Sequence, residues 1–175
     1  MWLGICLSAV GNFFLAAACF SDKKERLYLF QCFECLFLAA ASVCFRAFGG
    51  VAVMLVCALR NYLIFARKMN GFWLVLTLIL TVGLGIFCNN LGWIGLFPVL
   101  ASVQLTLCGK LIEGERGNKI ALFFNLFFWS VYGFLIGDFP TGVVNGLLCL
   151  FMPLSLLKSF VKKRKKARQT AVFVL

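Results

Sequence analysis

Glu34 stands in an apolar run, LFQCFECLFLAAASVCF from Leu29 to Phe45, beside the pair Cys32-x-x-Cys35. A carboxylate in hydrocarbon costs roughly 2.5 to 3.5 kcal/mol on insertion scales, so such a group faces a cavity or a partner and points to function. Arg60 lies in the next apolar run, CALRNYLIFARK. Counted from the flanking Arg26 and Arg67, both charges sit about 10 to 12 Å inside their helices at a 1.5 Å rise per residue. They could pair. Such a pair neutralises itself or lets Arg60 snorkel to the interface; alternatively it gates a mouth or holds an anionic or zwitterionic solute on the Arg60 cation.

A second group lies in FFNLFFWSVYG. Asn125 and Trp129 are four residues apart and share a helix face, continued by Tyr132 and Gly133. An amide beside a large aromatic suits a small polar ligand through hydrogen bonding and stacking. Packing offers a plainer account, in which an amide bonds a neighbouring helix for about 0.6 kcal/mol. Asn145, Asn61, Asn12 and Gln104 are mid-run amides that could line the same space. Cys32 and Cys35 could bind a soft metal, but a second ligand pair at zinc spacing is missing. The chain has nine cysteines, nearly all within apolar runs, where Cys acts as a small hydrophobe, and it has no histidine. No metal, cofactor or catalytic residue is therefore assigned, and an enzyme is not expected.

These side chains need membrane helices to position them. The 175 residues are 63% hydrophobic and 13% charged, well below the roughly 25 to 35% charge of a soluble surface. Seven apolar runs of spanning length follow: 2–20, 27–45, 49–66, 71–88, 92–108, 120–136 and 141–160. A signal peptide carries its basic residues ahead of the apolar stretch, whereas Lys23, Lys24 and Arg26 follow the first run, which is expected to be retained. The connections after the first, third and fifth runs hold Lys23, Lys24, Arg26, Arg67, Lys68, Lys110, Arg116 and Lys119, whereas the others offer only Arg46. Basic loops stay cytoplasmic, which predicts an outside N-terminus and a cytoplasmic C-terminus. Trp2 and Trp93 then fall at the outer interface and Trp73 at the inner one. The net charge of +11 is spread over loops and the tail 162–175, whose run Lys162 to Arg168 suits anionic lipid rather than nucleic acid.

A shift of about 92 residues lays the first three runs on the last three: Gly50 meets Gly142, Cys57 meets Cys149, Asn12 meets Gln104, and RAFGG meets DFPTG. Such a parallel repeat needs one extra crossing between its halves. The fourth run, whose polarity is confined to Thr77 and Thr81, supplies it. The expected fold is an all-α integral membrane domain over 1–161: repeat one at 1–68, a linker helix at 69–90 and repeat two at 91–161.

The segments CALRNYLIFARK, VGLGIF with LFPVLASVQL, and FFWSVYGFLIGDFPTGVVNGLL resemble the YgjV-type bacterial inner-membrane proteins, and the arrangement is similar to the PQ-loop and SWEET-like carrier superfamily. That resemblance implies a pathway between two parallel three-helix units and transport of a small polar solute across the inner membrane. The chain departs from the SWEET pattern in lacking the Pro-Gln pair and in carrying prolines only at Pro98, Pro140 and Pro153, all in the second unit. The expected partners are the bilayer, with anionic lipid at the tail, and an unidentified small polar solute. Nucleic acid is not expected, and a homo-oligomer is left open. The alternative is a receptor or scaffold of the same fold that docks a partner through its basic tail.

Overall fold

The structure, a computed structural model, describes residues 1–19, 21, 23–111 and 115–151. Among these the chain forms seven α-helices and no strand: α1 Trp2–Cys19, α2 Lys24–Cys44, α3 Phe48–Phe65, α4 Gly71–Phe87, α5 Leu96–Leu111, α6 Glu115–Ile136 and α7 Phe139–Phe151. The tail, Pro153 and the end of the seventh run lie outside the described residues. Each helix answers to one apolar run. Charged α2 and α6 begin earlier than their apolar stretches, because Lys24–Arg26 and Glu115–Lys119 extend them as polar first turns. The fifth run opens as a short 3-10 turn, Gly92–Gly95, before α5.

Helix ends follow local chemistry. Asn70 caps α4 by accepting from the Trp73 backbone N–H at 3.0 Å, and the Asp138 carboxylate accepts from Thr141 N–H at 3.3 Å at the start of α7. The turns at the ends of α2 and α6 are alike. Arg46 and Gly137, 91 residues apart, both take positive φ (57° and 79°). The next residue then bonds back across the helix end, Ala47 N–H to Ser42 O at 2.9 Å and Asp138 N–H to Gly133 O at 2.8 Å. This is the Schellman arrangement, where glycine is the easy choice and Arg46 bears a small steric cost.

Helices α1, α2 and α3 pack consecutively, as do α5 and α6, while α3 meets α4 and α5, and α4 meets α5. The core lies where α2, α3, α5 and α6 meet, around Leu38, Val53, Val99, Trp129 and Tyr132. At one crossing a methyl on Gly50 would lie 2.2 Å from the Tyr132 hydroxyl, so only glycine lets α3 and α6 approach there. The outward surface is apolar: Phe13, Ile79, Phe87 and Leu150 are exposed. So are Trp2 and Trp93, as belt residues would be. Two stretches, Glu25–Cys44 and Phe48–Phe65, have both the length and composition to cross a membrane, while five further apolar helices among the described residues run 10–17 residues.

Candidate functional site

A cavity of about 510 Å³ lies within the bundle, in the range of small-molecule sites. Its lining runs from Leu27, Tyr28, Ile64 and Met69, at the end with the basic loops, to Leu38, Met54, Trp129 and Thr141 deeper inside. Helices on both sides of α4 contribute. Of the eight residues expected to line a site, Glu34, Arg60, Asn61, Asn125, Trp129 and Asn145 face this space. Helical spacing places them there: Glu34 and Leu38 project from one face of α2, Cys57, Arg60, Asn61 and Ile64 from one face of α3, and Asn125 and Trp129 from one face of α6.

The expected ion pair does not form. Arg60 turns instead to α5, where its Nη1 donates to Thr106 Oγ1 at 2.7 Å. That hydroxyl passes its own proton to Ser102 O at 2.7 Å, which fixes the acceptor lone pair toward the guanidinium. Among the described residues the ion pair is Arg67 with Glu25, both exposed, at the basic end. Among the described residues, Glu34 and Arg60 thus remain the one acid and the one base on the cavity wall. The reason is geometric. Depth along two antiparallel helices fixes height but not azimuth, and Arg60 points across the bundle.

Two expected lining residues are absent from the wall. Gln104 donates to Ala121 O at 3.2 Å and Cys108 Sγ at 3.7 Å, tying α5 to α6. Asn12 donates to Ser8 O at 2.8 Å and Thr141 Oγ1 at 3.1 Å. Both amides do the ordinary work of helix packing.

Asn12 leads to a polar cluster that sequence reasoning missed. Ser8 Oγ on α1 donates to Asp138 Oδ1 at 2.5 Å and lies 2.8 Å from Thr141 Oγ1. All four residues are buried. Because Thr141 also faces the cavity, the cluster forms its floor and joins α1 to the start of α7. Burial pushes the Asp138 carboxyl above its ordinary range, while hydrogen bonds from Ser8 and Thr141 pull the other way. A sequence signal existed. Asp138 is followed three residues later by Thr141, a pattern suited to a helix N-cap, but its bond to Ser8 spans 130 residues.

The cysteines on the wall, Cys35 and Cys57, are free thiols. Asn61 Nδ2 lies 3.7 Å from Cys35 Sγ, and Cys57 Sγ lies 3.3 Å from Ser102 Oγ. Asn61 Oδ1 is buried with no hydrogen-bond partner among the described residues.

The chain matches the Imp-YgjV family, described as bacterial inner membrane protein, over residues 2–163. No curated protein and no solved structure matches it. The match spans nearly all of the sequence, so the chain belongs to that family of the bacterial inner membrane.

Proposed function

From that membership, we propose that the protein carries a small polar solute across the inner membrane by alternating access between two three-helix units, α1–α3 and α5–α7, joined by α4. The single observation that carries this reading is the cavity: both units supply polar wall residues, it reaches the basic end, and it stops at a hydrogen-bonded floor. With basic loops inside, the described state is inward-facing, and the Ser8–Asp138–Thr141 floor with the Gly50–Tyr132 contact forms the outer seal. The N-terminus then lies outside and the C-terminus in the cytoplasm.

The parallel repeat is supported by burial at a spacing of 91 residues, the spacing of the Arg46 and Gly137 turns and one fewer than the sequence shift suggested. Cys35 and Leu126, Leu38 and Trp129, Ala41 and Tyr132, and Ser42 and Gly133 are each buried in both members. The sulfur contacts correspond as well: Cys32 Sγ reaches Ala58 O on the α2–α3 side, and Cys149 Sγ reaches Phe123 O on the α6–α7 side. Likeness to PQ-loop and SWEET-type carriers belongs to this reading. So does the assignment as a carrier rather than an enzyme, with the bilayer and a solute as partners and anionic lipid at the tail.

Solute flux in proteoliposomes tests it. Flux that survives deletion of Lys162 to Arg168 and is lost in Trp129→Ala is expected. Absence of flux for every member of a broad metabolite panel, with a protein partner lost on tail deletion, would overturn it.

A further inference from the structure

Resting on the transport reading, we infer that the cavity takes an amphoteric solute, one bearing an amine and an acid, with the amine against Glu34 and Asn61 and the acid on Arg60. Three observations converge. Among the described residues the wall holds one acid and one base, and they are not paired with each other. A solute with only an acid would leave Glu34 opposing it, one with only an amine would meet Arg60, and a neutral one would leave both charges without a counterpart. An unmatched charge away from water is costly, and like charges facing one another repel.

The second observation is that Arg60 is held for recognition. One of its N–H groups is committed to Thr106, and that hydroxyl is itself fixed by Ser102, so the planar fork is oriented before anything binds. The remaining N–H groups have no acceptor among the described residues, and a carboxylate or similar acid matches them bidentately. Third, Asn61 is 3% exposed, lies on the wall, and leaves its Oδ1 unpartnered. A buried acceptor without a donor carries a desolvation penalty, which an ammonium hydrogen removes. It lies one residue from Arg60 along α3, but the two side chains have different neighbours: Arg60 reaches α5, and Asn61 lies beside Cys35, the residue after Glu34. The wall therefore has an acid-binding side toward α5 and an amine-binding side toward α2.

The test is thermal stabilisation of the full-length protein in nanodiscs by α- and ω-amino acids, each run beside its carboxamide and its deaminated acid. At least one amino acid is expected to raise the Tm, with both single-charge analogues weaker by about ten-fold or more in apparent Kd. Glu34→Gln should lose discrimination against the deaminated acid, and Arg60→Gln discrimination against the carboxamide. A purely structural pair would not produce this reciprocal pattern. If Arg60→Gln does not fold, Thr106→Val keeps the charge, releases the guanidinium and should weaken the parent amino acid. No stabilisation by any amino acid, or a single-charge analogue binding within about three-fold of its parent, would overturn the inference. The pattern appearing without flux would sink the transport reading alone; flux of a neutral solute without it would sink this inference alone.

Discussion

The turn between α2 and α3 and the turn between α6 and α7 have the same backbone hydrogen bonds but opposite chemistry. In the first, the residue leading into the next helix is Ala47, fully buried, and the helix start is served from elsewhere: Asn90 donates to Arg46 O at 2.6 Å and accepts from Phe48 N–H at 3.0 Å. In the second, Asp138 occupies the corresponding place, caps its own helix, and binds Ser8 of α1. One backbone device thus serves both ends, as it also closes α3 around Arg67. With alanine it is a plain corner, whereas with aspartate it becomes a joint between distant helices.

Making the corner resemble the joint should cost most. Ala47→Asp places a carboxylate in an apolar site, and a loss of roughly 3 to 5 kcal/mol, or failure to accumulate in the membrane, is expected. Unfolding in mixed micelles measures it. The reverse change, Asp138→Ala, removes a cap and leaves the Ser8 hydroxyl without its acceptor; about 2 to 3 kcal/mol is expected, with Asp138→Asn retaining much of it. An Asp138→Ala variant as stable as wild type would make the joint ornamental.

Next is the crossing just beyond these turns. Gly50→Ala should cost about 1 to 3 kcal/mol through collision with the Tyr132 hydroxyl. The double variant Gly50→Ala with Tyr132→Phe should recover most of that loss, and a strictly additive double variant would refute the contact. Asn90→Ala, which strips the borrowed cap from α3, should cost about 1 kcal/mol.

The smallest effect concerns pH. The Asp138 carboxyl is raised, so its protonated form favours the folded state. Its contribution is fully present below the ordinary carboxylate value of about 3.9 and declines as pH rises through the higher folded value. Wild type should therefore lose stability relative to Asp138→Asn as pH rises across that window. A difference that stays constant with pH would exclude it.

Much of the architecture was legible because each helix is an apolar run ended by polar or glycine residues, and the described helices match the seven runs closely. Trp129 was legible for a similar reason, since a tryptophan halfway along a span has no interface to sit in, and it is 8% exposed. Azimuth was not legible. Arg60 bonds Thr106, 46 residues away, and Asn12 bonds Thr141, 129 residues away, and neither depth nor period encodes those approaches. Ser8 was overlooked because a single hydroxyl in an apolar helix normally bonds its own backbone, as Thr77 and Thr81 do here.

That habit of Thr77 and Thr81 has a mechanical corollary. The mid-section of α4 spends its hydroxyls internally, and among the described residues its directional ties to the rest of the protein are confined to the residues just beyond its ends, such as Asn90. Its central turns rest on α3 and α5 through shape alone. A rod tied at its tips and held between them only by close packing can bow or roll against its neighbours without breaking a hydrogen bond in its middle.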